Sequence, residues 1–428
     1  MQHEEGISTV RQDDVLKAPF WINRNFALLA TGQVISNIGD FVYSMTLMVW
    51  VFSLTKSAGA VSGVLLAQYV PMFMLGPLAG VFVDRWNRRT VMLVADAVRT
   101  LIALLPLLAP NELRLPAIYV SVFLITSFGR FFMPAKSGVL QAIVSGKELM
   151  QASSISQTLS AGALIIGPAL SAPLYFSVGP LAALVVNAAS YLVSALCIFF
   201  IRAPRAALHP YAEREGEASG ISVRSVLGEL GAGLKFVVSS RVLLALIVMI
   251  LVAMLGAGAL NALDVVFVSK NLHAAPALYG LLNSVVGVGM LVGTLLAALL
   301  ARRISATQLL TGSMFLLGVG IFIYALQTWY VIALVLAFFM FMPQGGLQVG
   351  FGPLFMRSTP PEMMGRAQAM LDVSSSGASL ISIGAAGYLG QYLPISWIFS
   401  GSALLIVLAG LYGWFALRER RTVPQVAS

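Results

Sequence analysis

The chain has 428 residues, of which 58% are hydrophobic and 10% charged, with a formal net charge of +9. A soluble domain carries about 45–50% apolar and about 25% charged residues, so this composition excludes a surface made for water, and the mean hydropathy of +0.89 points to lipid as the solvent. The positive charge does not call for a nucleic-acid partner, because the basic residues fall in short connectors rather than on one face or tail.

Residues 1–25 form a polar segment with neither an apolar core nor a small-residue cleavage site. No cleaved signal peptide is therefore expected, and the first apolar run serves as the targeting signal. About twelve runs long enough to cross a bilayer as helices follow. They lie near 26–52, 58–83, 90–109, 116–133, 155–176, 180–201, 242–268, 278–301, 307–326, 330–352, 369–392 and 396–416. These runs are continuously apolar and do not alternate with period two, which predicts an all-α membrane protein and not a barrel.

One sizeable polar stretch divides the chain. It separates a first six-helix half over 26–201 from a second over 242–416, with a linker over 202–241 and a tail over 417–428. In the linker, Val226, Leu227, Leu230, Leu234 and Val237 share one helical face. That face reads as an amphipathic helix on the membrane surface or as a solvated linker. The halves also repeat: Gly63-Val-Leu-Leu, Gly76-Pro-Leu and Arg85 recur as Gly280-Leu-Leu, Gly293-Thr-Leu and Arg302 at one common offset. Duplicated halves of this kind are a transporter plan.

The connectors fall into two charge classes. Alternate ones hold Arg85, Arg88, Arg89, Lys136, Lys147, Arg302, Arg303, Arg357 and Arg366, joined by the basic residues of linker and tail. The others hold only Lys56, Arg114 and Lys270. The positive-inside rule then puts both termini in the cytoplasm and the chain, multi-pass, in the cell's inner membrane.

Ionisable residues inside spans are candidate functional sites, since a charge at mid-bilayer costs at least a few kcal/mol. Asp40, well inside span one, is either a carrier of protons or cationic substrate facing a cavity, or a carboxylate bonded to a neighbouring helix with Asn37 in support. Asp96 and Arg99, three apart in span three, suit an ion pair near the inner end. Arg130 lies in span four. Asp264, near the outer end of span seven, reads as an interfacial acid or a second coupling candidate. Asp372 is expected to open span eleven and to support its N-terminus after Gly365-Arg366. Gln68, Tyr69, Asn261 and Asn283 are polar cavity candidates. Cys197 is an inert thiol in an apolar run.

The loop Gly80-Val-Phe-Val-Asp84-Arg85-Trp-Asn87-Arg88-Arg89 resembles the signature of the major facilitator superfamily, Gly-x-x-x-Asp-Arg-x-Gly-Arg-Arg, with Asn87 in place of a glycine. The resemblance implies a latch that closes the inner gate, with Asp96, Arg99, Gly365, Arg366 and Asp372 as its neighbours. Gly162-Ala-Leu-Ile-Ile-Gly167-Pro168 resembles the antiporter signature of exporters, with Ala172 and Pro173 where the downstream glycine would stand. A proline inside a helix bends it, which suits a gate. Gln33-Val-Ile-Ser-Asn37-Ile-Gly39-Asp40, Pro134-Ala135, Glu148-Leu-Met-Gln-Ala-Ser, Glu229-Leu-Gly-Ala-Gly, Tyr279-Gly280-Leu-Leu and Pro361-Glu-Met-Met-Gly365-Arg366 are similar to the macrolide and drug-efflux branch, which includes enterobactin exporters.

The resemblance, running from about residue 20 to 416, implies a monomeric secondary transporter that exports small amphiphilic organic compounds by alternating access, with protons as coupling ion. An importer or a siderophore or lipid mover of the same fold is the first alternative, and a non-transporting membrane scaffold or sensor the second. Nothing points to an enzyme or a cofactor. There is no Gly-x-x-x-x-Gly-Lys-Ser/Thr loop, and His3, His209 and His273 have no metal-ligand spacing.

Overall fold

A computed structural model of the protein describes residues 22–146, 148–203, 208, 231, 233–360 and 363–417; in the helix that ends at Arg85, the side chains of residues 77, 78, 80, 81, 84 and 85 lie outside the described set. The same holds for the N-terminal segment up to residue 21, for Val226, Leu227 and Leu230 of the linker, and for the tail from residue 418.

Among the described residues, twelve helices are long and apolar enough to cross a membrane. They are α1 (Arg24–Thr55), α2 (Ala58–Arg85), α3 (Arg88–Ala103, continued by a turn over Leu105–Leu108), α4 (Arg114–Ile143), α5 (Leu149–Val178) and α6 (Pro180–Phe199) in the first half. In the second half they are α7 (Arg241–Lys270), α8 (Tyr279–Leu300), α9 (Ala306–Ala325), α10 (Tyr330–Ser358), α11 (Met364–Leu389) and α12 (Ile395–Ala416). Many starts are written locally: the side chains of Asn23, Ser57, Asn87, Ser240 and Ser305 each accept a backbone N–H of the first turn. Ser305 and Gln308 complete a capping box.

Several helices overrun the apolar windows. The α4 helix has 30 residues, about 45 Å at 1.5 Å per residue, against a hydrocarbon core of about 30 Å. Its last turns, past Met133, are too polar for lipid but contain nothing that breaks a helix except Pro134, which is accommodated. The start of α11 likewise lies at Met364 and not near residue 369, because Ala367, Gln368, Met370 and Leu371 are good helix formers.

The two halves pack by the same scheme. In the first, α1 packs on α5 and α6, α4 on α2 and α3, and α3 on α6; in the second, α7 packs on α11 and α12, α10 on α8 and α9, and α9 on α12. Every pairing maps onto its counterpart when the helices are shifted by six. The contacts between halves, α2 with α11 and α5 with α8, exchange with each other under the same shift. The structure is therefore a pseudo-twofold pair of six-helix bundles, with an axis along the bundle.

The halves meet at the end that carries Lys56. There Gly387 lies against Ser62, Gly390 against Ala58, and Gly280 against the Pro168 carbonyl and Ser171 hydroxyl. Toward the other, arginine-rich end, Gly76 of α2, Gly162 of α5 and Gly365 of α11 face open space. The core divides in the same way. One apolar cluster runs through both halves, and a second, around Phe26, Met92, Phe132 and Ile198, belongs to the arginine-rich end of the first half alone. The described end of the linker docks on α11: Val237 is buried, Leu234 exposed, and Gly233 approaches the Arg366 carbonyl.

Close packing inside each half depends on missing side chains. A Cβ on Gly293 of α8 would lie 1.9 Å from the Met342 carbonyl oxygen of α10. Overpacking of this kind costs about 1–3 kcal/mol. Gly293→Val is thus expected to lower the melting temperature of the purified protein, whereas Gly162→Ala, which meets nothing within 4 Å, leaves it unchanged; a melt by intrinsic fluorescence in detergent checks both.

Candidate functional site

The first half encloses a polar cavity of about 220 Å³, lined among others by Asn37, Asp40, Gln68, Arg99, Arg130 and Tyr191. Its position follows from Gly39. A Cβ there would lie 2.2 Å from the Ser190 hydroxyl and 2.8 Å from the Asn187 side-chain amide oxygen, so glycine lets α1 close onto α6. That approach brings the next residue, Asp40, to the Tyr191 hydroxyl, which donates a hydrogen bond to its carboxylate.

Arg99 completes the cluster from α3. Its guanidinium pairs with Asp96, donates to the Ala95 carbonyl at 3.3 Å, and lies 4.6 Å above the Tyr191 ring and 4.5 Å above that of Phe132. Both rings thereby share in stabilising the cation. Asp96 and Arg99 lie within α3 and not in the loop that follows α2. They sit two and three turns into α3, where α1 and α3 both pack on α6, and Arg99 lines the Asp40 cavity. Two carboxyl groups thus face one guanidinium in the middle of the membrane-spanning part. Asp96 has no exposure and Asp40 is partly exposed to the cavity. With all three groups ionised the cluster carries one surplus negative charge, which a single proton would neutralise.

A second cavity of about 600 Å³ lies between α2, α4 and α11, toward the arginine-rich end. Phe73, Gly76, Met133, Gln368, Asp372 and Ser376 are among its lining residues, and Arg130 lines both cavities. Because α11 begins at Met364, Asp372 stands two turns inside the helix and does not cap it. Its carboxylate instead accepts a hydrogen bond from Gln368 Nε2 at 3.0 Å and faces the cavity. Gly365 and Arg366 are exposed at the helix start.

The latch region is partly visible. Gly80, Asp84 and Arg85 belong to α2, but their side chains lie outside the described set. Arg88 packs over Gly138 of α4. Arg89 donates to the carbonyls of Ile198, at 3.2 Å, and Phe199, and so caps the C-terminal end of α6 within the first half.

The antiporter-like stretch of α5 lies at the seam. Gly167 packs on Phe41 and Ile38 of α1, the Pro168 carbonyl meets Gly280 of α8, and Gly162 faces open space. The remaining polar candidates separate. Asn37 Nδ2 lies 3.5 Å from Ser160 Oγ, at the limit of a hydrogen bond, Gln68 lines the first cavity, and Tyr69 packs against the core. Asn261 is exposed, and Asn283 turns its amide to its own helix, to the Tyr279 carbonyl at 3.0 Å.

Asp264 is not an exposed acid. Tyr324 of α9 donates to it at 2.8 Å, and Tyr324 is itself buried among Phe267 and Phe399. The residues that sequence reasoning missed are Asn187, Ser190, Tyr191 and Ser194. All are buried on one face of α6, and their spacing of three and four in an otherwise apolar helix was the available signal. Among the described residues, no group of His, Cys, Asp or Glu side chains could hold a metal ion.

The profile of the family described as transmembrane secretion effector matches residues 17–427. The chain is similar to the uncharacterized MFS-type transporter YfiS of Bacillus subtilis (strain 168), at 26% identity over 92% of this chain and 94% of that protein. It is similar to macrolide efflux protein A of Streptococcus pyogenes, at 26% identity over 92% of each, and to the multidrug efflux pump Tap of Mycobacterium bovis, at 25% identity over 93% of this chain and 95% of that one. Among solved structures, a bacterial homologue of the iron transporter ferroportin in an inward-facing state superposes with a TM-score of 0.71 at 16% identity, over 92% of this chain and 99% of the other. At that identity the likeness concerns the fold alone.

If Arg99 balances the buried carboxyl groups, Arg99→Met leaves them without their cation. Breaking a buried pair on one side costs about 3–5 kcal/mol. The variant is expected to melt well below wild type, and adding Asp96→Asn to recover part of the loss. Equal melting curves for wild type and Arg99→Met would refute the pairing as a stabilising contact.

Proposed function

The chain belongs to the transmembrane secretion effector family of major facilitator transporters, and from that premise we propose that it exports small amphiphilic organic compounds across the inner membrane in exchange for protons. In this reading it works as a monomer with both termini in the cytoplasm, and the arginine-rich end faces inward. The halves rock about their shared seam, which exposes the cavities to one side at a time.

The observation that carries the reading is the reachable carboxylate of Asp40 beside the buried Asp96–Arg99 pair. Asp40 opens on the first cavity and holds the hydroxyl of Tyr191. Protonation of Asp40 removes the surplus charge that would otherwise have to be solvated at mid-membrane, so the protonated and ionised forms favour different degrees of water access. Arg130, which lines both cavities, links the charge state of Asp40 to the larger cavity. There Phe73 and Met133 offer apolar, adaptable contacts, while Asp372 and Gln368 offer polar ones. That mixture suits amphiphiles, and the relatives named for macrolide and multidrug efflux support the class. The α5 kink at Gly167-Pro168 forms the moving seam, and the Gly80–Arg89 loop with Gly365 and Arg366 forms the latch at the inner end.

Asp40→Asn is expected to abolish proton-driven accumulation of a lipophilic cation or macrolide in everted vesicles while preserving counterflow exchange in liposomes. Uphill transport at the wild-type rate by the variant would refute the assignment of the proton to Asp40. Accumulation that runs only outward from everted vesicles would identify an importer.

A further inference from the structure

A strongly basic pocket of about 790 Å³ opens at the arginine-rich end, outside both cavities, where the N-termini of α1 and α3 meet the C-terminus of α6. Among its lining residues three are arginines, Arg24, Arg89 and Arg202, and none is acidic. Arg24 and Arg202 are exposed, and Arg89 is partly buried. The helix termini add to the field. Neither α1 nor α3 has an acidic residue in its first turn, and Arg24 stands at the N-terminus of α1 instead. A helix N-terminus favours an anion, and the α6 carbonyls engage Arg89 through only two of its nitrogens.

The pocket walls are held in place. Asn25 clasps the backbone of Arg202 with two hydrogen bonds, donating to its carbonyl at 2.7 Å and accepting its N–H at 3.1 Å. Asn23 donates to the Ile143 carbonyl at 2.7 Å. Arg89 is fixed by the α6 carbonyls through two of its nitrogens, and a guanidinium has five N–H donors.

Next to this pocket, sharing Asn87 and Thr90 with it, lies an almost wholly apolar groove of about 600 Å³ formed by Trp86, Val91, Val94, Phe128 and Phe131. Trp86 is half exposed and packs with Phe82 and Phe131 at centroid distances of 6.0 and 6.4 Å, in keeping with a tryptophan at a membrane–water interface. The groove lies on the lipid side of the protein. The helices α3 and α6 pack on α1, α4 and each other, and not on the second half, and Val94, Leu101, Leu192 and Phe199 are more than half exposed.

A basic pocket at the membrane surface beside an apolar groove at the membrane edge matches one kind of ligand in shape and charge. We propose that this end of the first half binds an anionic phospholipid, with its phosphate held by Arg24, Arg89 and Arg202 and an acyl chain lying along the Trp86–Phe131 groove. The charge complementarity selects an anionic headgroup, and the groove selects a lipid over a free phosphate. Bound there, the lipid would tie α1, α3 and α6, the three helices that build the Asp40 cluster, at their shared end.

The test uses the full chain, purified in detergent and exposed to equimolar phosphatidylglycerol and phosphatidylcholine, with retained lipid read by native mass spectrometry. Phosphatidylglycerol is expected to be retained about twenty-five-fold over phosphatidylcholine, from roughly fivefold for each of the two exposed arginines, Arg24 and Arg202. Arg24→Gln with Arg202→Gln should bring the two lipids close to parity while the protein elutes as wild type. Val94→Trp, which narrows the groove without changing charge, should lower retention of phosphatidylglycerol. Soluble glycerophosphoglycerol and inorganic phosphate should fail to displace the lipid at matched concentration. Equal retention of both lipids by wild type, an undiminished preference in the double-arginine variant, or undiminished retention in Val94→Trp would overturn the proposal. Displacement by glycerophosphoglycerol or by phosphate as effective as by lipid would also overturn it, and would identify a small-anion site.

Discussion

Lipid forbids an unpaired charge or backbone group on the outside of a spanning helix, and the rest of this structure follows from where the chain puts the few charges it has. Asp40, Asp96 and Arg99 all turn inward to one place, between α1, α3 and α6, where helices enclose a polar cavity. Gly39 makes that convergence possible, since any side chain at that position would hold α1 away from Ser190 and Asn187. The same small residue therefore sets both the packing of the first half and the position of the carboxylate. A protein of this kind does not insert a polar site into a finished bundle; the polar site and the bundle are specified by the same contacts.

The twofold plan explains how such a bundle can move without unfolding. Each half has its own complete set of helix–helix contacts, and the seam between halves rests mainly on α2 with α11 and α5 with α8, with slighter contacts of α7 and α8 to α1 and α2. Its contacts are made by glycine, alanine and serine at one end, whereas the facing positions at the other end meet nothing. Few side chains interlock across such a seam, so rotating one half against the other disturbs little packing. Pro168 sits where α5 touches α8, so the helix that closes the seam also carries a proline at the contact.

The fold was largely legible from the sequence because its signal is redundant: runs of about twenty apolar residues, arginine-rich connectors and a repeat at one offset each imply the same two-half plan. What was hidden was depth and facing. Polarity alone places the start of span eleven too late, because Gly365, Arg366 and Gln368 look like a loop; the helix propensity of the residues around them keeps them in α11. Its place near a helix end makes Asp264 read as an interfacial acid, and only the packing of the second half brings Tyr324 of α9 to it. The pairing of Asp96 with Arg99 could be read from spacing within α3, but their partnership with Asp40 could not, as it depends on which faces α1, α3 and α6 turn to one another. Tyr191 was recoverable in principle, since Asn187, Ser190 and Ser194 mark its face of an otherwise apolar helix.

The site reveals an asymmetry that the pseudo-symmetry conceals. The first half concentrates its charge at mid-membrane, in a cluster open to a cavity. In the second half Asp372 of α11 faces the larger cavity, while Asp264 of α7 is held near the closed end by a tyrosine hydroxyl amid packed aromatic rings. An ionised group that must exchange protons needs a cavity, and a group that must hold an end shut needs dense packing. By that criterion the Asp40 cluster is placed where a change of charge state can be solvated, and Asp264 is placed where packing holds it. Duplicated halves can diverge in this way because the shared helix pairing leaves the buried polar positions of each half free to differ.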